Sequence, residues 1–84
     1  MFFVYVLKSA NSGKSYVGVT SKTVGERLAE HNLGSNAWTR NNGPFNIVYY
    51  ESYYCKQDAL HRELFFKSGV GKQIKKLILN RFGE

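Results

Sequence analysis

The segment that most constrains this chain is its first strand-forming run. Residues 2 to 9, Phe-Phe-Val-Tyr-Val-Leu-Lys-Ser, are β-branched or aromatic at almost every position, so apolar side chains fall on both faces of the strand they form. A strand of this kind is stable only when both faces are covered. Asn11-Ser12-Gly13-Lys14 follows, rich in residues that accept positive φ, and then Ser-Tyr-Val-Gly-Val-Thr at 15 to 20. The pattern predicts a β-hairpin whose first strand needs cover from elements further along the chain.

Those elements are legible in outline. Thr23-Val24-Gly25-Glu26 has the form of a capping box and predicts a helix from 23 to 32, with Gly34 as its stop. Ser35 to Pro44, with Asn36, Asn42, Gly43 and Pro44, is expected to be a ten-residue loop holding Trp38, Thr39 and Arg40. Residues 46 to 54 predict a third strand, and Ala59, Leu60 and Leu64 predict a second helix from Asp58 to Lys67. Gly69 and Gly71 are expected to break the chain before a third helix, Gln73 to Phe82, with an apolar face at Ile74, Leu77, Ile78 and Phe82. The order ββαβαα predicts an α/β (α+β) fold: a three-stranded, mainly antiparallel sheet flanked by three helices, as one domain over residues 1 to 84.

Composition narrows the function. No apolar run approaches the roughly 20 residues that span a bilayer, and no basic residue precedes the N-terminal apolar run. The expectation is a cytoplasmic chain with neither signal peptide nor membrane anchor and no membrane partner. Cys55 is the sole cysteine and His31 and His61 the only histidines, which excludes disulfide scaffolds and zinc fingers. Cys55 lies in a tyrosine-rich strand-like segment and is expected to be a structural thiol. Twelve basic against six acidic residues give +6, and an excess of that size points to a polyanion, with nucleic acid first among the partners. Residues 56 to 81 carry seven basic residues against Asp58 and Glu63, so +5 of the excess lies in the C-terminal third. Lys67, Lys72, Lys75 and Lys76 form either a phosphate-facing arm or a solvated helix face, and charge alone does not separate the two.

Four short motifs follow one another in order: Phe3-Val4-Tyr5 and Tyr16-Val17-Gly18, with eleven residues from Tyr5 to Tyr16; Arg27-Leu28-Ala29-Glu30-His31; and Arg62-Glu63 within Ala59 to Glu63. With Phe45-Asn46-Ile47-Val48-Tyr49-Tyr50-Glu51 between them, they resemble the GIY-YIG nuclease superfamily over nearly the whole chain, and above all its small stand-alone bacterial members. The resemblance implies an endonuclease that hydrolyses DNA phosphodiesters with Mg²⁺, or Mn²⁺ in its place.

Glu63 is the implied metal ligand, in keeping with a hard cation that takes one or two carboxylates and keeps its waters. From spacing alone it reads first as an i,i+4 surface partner of Lys67, and only the resemblance favours the metal ligand. Arg27 is the implied clamp on the scissile phosphate, or else a helix-surface arginine. His31, four residues on along the same helix face, orients or accepts a proton, or is a structural histidine. Tyr16 is implied as base or water positioner and Tyr5 as hydrogen-bond donor, although the two roles are exchangeable and strand tyrosines also serve as core. Gly18 is expected to leave room beside the phenols for the substrate.

The chain departs from the family pattern in three places. Phe3 replaces the first glycine of the name motif. Val19 stands where excision-repair members carry a lysine, with His31 as the substitute. A distal asparagine carried by some members has no firm match, Asn80 being a loose candidate. The partners implied are DNA, branched and single-stranded forms included, and either a second copy of the chain or a targeting protein. A nucleic-acid-binding module without strong catalysis, using Trp38, Arg40 and the lysines, is the alternative. A protein-interaction domain with incidental basicity is a third possibility.

Overall fold

In a computed structural model, the chain runs through β1 (Phe2–Ser9), β2 (Ser15–Thr20), α1 (Val24–Asn32), α2 (Ala37–Asn42), β3 (Phe45–Tyr53), α3 (Lys56–Lys67) and α4 (Gly69–Phe82). The structure describes residues 1–34 and 37–82, with the backbone alone at 37–39 and 82. The three strands form an antiparallel sheet in the order β2-β1-β3, so the doubly apolar β1 takes the central place. Its alternation feeds two cores. Val4 and Val6 face one side, where Val17, Ala59 of α3 and Phe66 of α3 complete a buried cluster against which Ile78 and Leu79 of α4 pack. Tyr5 and Leu7 face the other side, with Val24 of α1, Phe45 and partly buried Tyr16 and Leu28. Both faces are therefore covered, as the strand's composition requires.

The hairpin loop is organised by buried Ser9, whose Oγ accepts from the backbone N–H groups of Asn11 (3.2 Å) and Ser12 (3.1 Å). Gly13 takes φ of +72°, where a side chain is strained. At α1 the Thr23 hydroxyl accepts from Glu26 N (3.2 Å) and donates to the Glu26 carboxylate (2.9 Å), so the capping box closes through the threonine side chain. Gly34, at φ +83°, bonds back to His31 O and ends the helix as expected. Asn32 then ties α1 to β3 through both backbone polar groups of Phe45, at 2.8 and 3.3 Å.

The structure corrects the expected elements in three respects. The segment expected to be a ten-residue loop contains α2, so there are four helices among the described residues, in the order ββααβαα. Ala37 to Asn42 holds neither glycine nor proline, and this leaves room for a short helix between the breakers at Gly34 and Gly43-Pro44.

The two glycines expected to break the chain lie inside a helix, because α4 starts at Gly69 directly after α3. Ser68 serves both helices: its N–H donates to Phe65 O, while its own O and Oγ accept from Lys72 N (2.8 Å) and Gly71 N (3.2 Å). Gly71 is required by contact, since a Cβ there would lie 1.6 Å from Phe65 O.

That contact also sets the rotation of α4. Gly71, Lys75 and Ile78 share one stripe of the helix, at i, i+4 and i+7, and this stripe turns inward. Leu77 is left 65% exposed and Ile74 is on the surface too, although both were expected on the apolar face. On α3 the inner stripe is Ala59 and Phe66, so Leu64 is likewise exposed.

Candidate active site

Strand register brings the two name motifs together. Tyr5 pairs with Gly18 and Leu7 with Tyr16 across β1 and β2, placing both phenols and Gly18 on the α1 face. A Cβ at Gly18 would stand 2.3 Å from Tyr5 Oη and 2.5 Å from its Cζ. Gly18 thus makes room for the Tyr5 phenol itself, which corrects the expectation that the space serves a substrate. Tyr5 is buried, and its hydroxyl lies 2.8 Å from Nε2 of fully buried His31 on α1. The rings of Tyr5, Tyr16 and His31 form one cluster, with Tyr16–His31 centroids 4.8 Å apart and Tyr5–Tyr16 centroids 6.3 Å apart.

The electrostatics favour the neutral forms of Tyr5 and His31. Burial pushes the Tyr5 phenol up to about 12, the Arg27 charge works against the rise, and Tyr16 and Glu63 add to it. Burial and then Arg27 hold His31 below the usual imidazole range, against the opposite pull of Glu30. His31 Nδ1 is buried without a hydrogen-bond partner among the described residues. A phenol raised to about 12 is a poor base at neutral pH, and Tyr5, at 1% exposure, has no open path to a substrate. Tyr16 is partly exposed and borders a groove of about 340 Å³ lined by Ser15, Val17, Lys67 and Lys75.

The remaining expected site residues separate into two groups. Glu63 on α3 is 20% exposed at its side chain, acts electrostatically on Tyr5, and lies 3.5 Å from Lys67 Nζ, so the i,i+4 pairing is made. Arg27 is 26% exposed and bonds Glu30 at 3.3 Å. Lys67 and Lys75 line the Tyr16 groove, and burial followed by the Lys72 and Lys67 charges holds the Lys75 amine below its usual value. Lys76 and Arg40 are exposed on α4 and α2 and line neither this groove nor the one beside Arg27. The Trp38 side chain lies outside the described residues. Asn80 stands exposed on α4, and so does Cys55 immediately before α3.

One cluster escaped the sequence reasoning. Arg62 donates through Nε and Nη2 to the two carboxylate oxygens of Glu51 on β3, at 2.9 and 3.0 Å, while the Tyr49 and Tyr53 hydroxyls donate to the same oxygens. The guanidinium also stacks on Phe65 and Phe66. Burial alone would raise the Glu51 carboxyl, and Arg62 with the two phenols outweighs it and holds it low. This fork-to-fork pair fixes α3, and with it Glu63, against the sheet. The adjacency of Arg62 to Glu63 was the available signal; the partner, eleven residues earlier on β3, was not.

The chain belongs to the GIY-YIG family, since the GIY-YIG catalytic domain matches residues 1–77, and that domain points in general to a nuclease-type hydrolase with a nucleic-acid substrate. It is similar to a UPF0213 protein of Staphylococcus epidermidis, 39% identical over 77 residues that cover 90% of this chain and 92% of that one. A UPF0213 protein of Staphylococcus aureus is 36% identical over 80 residues, covering 94% and 95%. Among solved structures, the solution NMR structure of the UPF0213 protein BH0048 from Bacillus halodurans superposes with a TM-score of 0.56 at 30% identity, covering 99% of this chain and 88% of that one. Among the described residues no helix is long and apolar enough to cross a membrane.

Proposed function

We propose that the chain is an endonuclease that hydrolyses DNA phosphodiester bonds at the Tyr16 groove. The observation that carries this reading is the ring cluster of Tyr5 from β1, Tyr16 from β2 and His31 from α1, whose Tyr16 lines a groove with Lys67 and Lys75 and whose Tyr5 feels the charges of Arg27 on α1 and Glu63 on α3. Phosphodiester hydrolysis needs a positioned water, donors for the charge that builds on the phosphoryl oxygens, and help for the leaving group.

In this reading Arg27 releases Glu30 and clamps the scissile phosphate through its fixed donors. The partly exposed Tyr16 hydroxyl orients the attacking water. Tyr5 and the buried, neutral His31 hold each other through their 2.8 Å contact and pack against the Tyr16 ring, so both act as positioning residues behind it.

The described residues include no group of three or more acidic, histidine or cysteine side chains able to hold a metal together. A lone, part-buried carboxylate suits Mg²⁺ or Mn²⁺, which keep most of their waters. Glu63 would hold the ion, which when bound supplies charge neutralisation and stabilisation of the leaving oxygen.

The test is cleavage of labelled flapped, branched, single-stranded and duplex DNA, with Mg²⁺ or with EDTA, by wild type and Glu63→Ala. Cleavage by the wild type with Mg²⁺ alone, and undiminished DNA binding by Glu63→Ala, is the expected outcome. Equal inertness of two proteins that both bind DNA favours the alternative carried by the lysine-lined groove, a binding module without catalysis.

A further inference from the structure

A second groove, of about 370 Å³, opens at the other end of β2 from the Lys67 groove and shares Arg27 with the site. Its polar lining is Thr20, Ser21, Lys22, Arg27, Glu30 and Lys56. Three of these six side chains are cationic. The anionic one, Glu30, is placed between two of them: Oε2 lies 2.6 Å from Lys22 Nζ and Oε1 lies 3.3 Å from Arg27 Nη1. One carboxylate thus presents an oxygen to each cation, the arrangement that two non-bridging oxygens of a phosphodiester would make. Lys56 lines the same groove without a salt-bridge partner among the described residues.

The layout of α3 joins this groove to the first. Lys56, Glu63 and Lys67 stand at i, i+7 and i+11, on one stripe of the helix. Lys56 lies against the Thr20 end of β2 and Lys67 against its Ser15 end, with Glu63 between them. β2 is an edge strand, so this stripe follows the unpaired side of the sheet. From Lys56 to Lys67 the helix rises about 16 Å, the axial length of about five nucleotides of a duplex strand.

We infer that Lys22 and Lys56 form a second phosphate seat beside Arg27, blocked in the free protein by the Glu30 carboxylate that lies between Lys22 and Arg27, and that one nucleic-acid strand runs along the β2 edge from this seat past Glu63 to Lys67 and Lys75. The inference rests on the nucleic-acid reading above and adds a site, a strand path and a contact length. Glu30 is the competitor that the strand displaces. Its displacement frees Arg27 for the scissile phosphate, so engagement of the second seat and arming of the clamp are one event.

Binding measured in EDTA separates this from catalysis. A fluorescently labelled single-stranded oligonucleotide, and the same sequence as duplex, are titrated by anisotropy over a range of KCl concentrations. The proteins compared are wild type, Lys22→Ala, Lys56→Ala, Lys67→Ala and Glu30→Gln, each first matched to wild type by circular dichroism. Lys56→Ala and Lys22→Ala are each expected to reduce the slope of log K against log salt by about 1, as Lys67→Ala does. Glu30→Gln is expected to bind roughly two- to fivefold tighter. Inorganic phosphate is expected to compete no better than KCl of equal ionic strength.

Loss of slope in Lys67→Ala alone overturns the second seat, and Glu30→Gln binding no tighter than wild type overturns its occupation by Glu30. Competition by inorganic phosphate beyond its ionic strength overturns the strand path in favour of a free-phosphate site. A wild type that binds neither oligonucleotide overturns the nucleic-acid reading itself, a different result from the variant-specific failures.

Discussion

At position 18 the difference between hydrogen and methyl decides where the Tyr5 side chain lies. The Tyr5 ring occupies the volume that any other residue's Cβ would fill, and the displaced phenol would lose its 2.8 Å contact with His31. Gly18→Ala is therefore expected to lower stability by about 1–3 kcal/mol and to reduce cleavage more than Tyr5→Phe, which keeps the ring in place. Thermal melts alongside cleavage rates check this. His31 gives a second residue-scale prediction, with a sign. Its folded pKa is depressed, so below the unfolded value of about 6.5 the unfolded chain takes up a proton that the native state refuses. Stability is then fully present above pH 6.5 and declines as pH falls through the lowered folded value. Melting temperatures between pH 7.5 and 5.5 are expected to fall for wild type and to flatten in His31→Gln; equal slopes would remove His31 as the cause.

At the scale of elements, the junction of α3 and α4 is the least tolerant point. Ser68 ends one helix and caps the next, and Gly71 touches the Phe65 carbonyl, so the two helices meet at backbone contact. Gly71→Ala is expected to destabilise by about 2–4 kcal/mol. Gly25→Ala in α1, where a Cβ meets nothing within 4 Å, is expected to stabilise by about 0.4–1 kcal/mol. Urea denaturation of the two variants side by side checks both signs. The Glu51–Arg62 fork acts at the same scale by locking α3 to β3. With side chains 16% and 31% exposed, it lies between the surface and buried limits. Glu51→Gln leaves Arg62 half-paired and is expected to loosen α3, which hydrogen exchange along that helix would register.

For the whole molecule the governing quantity is the charge of +6 carried by 84 residues, placed so that cations line both grooves along the β2 edge. Neutralising about four phosphates gives an expected slope of log K against log salt of about −3 on single strands. A salt-insensitive affinity would show that the charge is not used for phosphate contact. The same charge opposes self-association at low salt, so a second copy is a poor occupant of either groove.

The sequence by itself determined the features that rest on neighbours in the chain. These are the hairpin with its glycine turn, a first strand needing cover on both faces, the capped α1 carrying Arg27 and His31 four residues apart, and the basic C-terminal third. Each depends on side-chain periodicity, capping or charge, which act over a few residues. Tertiary structure decided the rest, because the deciding partner is far away in the chain. It turned α4 through the Gly71 contact and so exposed Leu77, and it paired Glu51 with Arg62. It used Gly18 for the Tyr5 ring, buried Tyr5 while leaving Tyr16 at the groove, and set Glu30 between Lys22 and Arg27. Sequence spacing names the residues that can meet; which faces turn inward is settled only when helices and sheet exclude one another's volume.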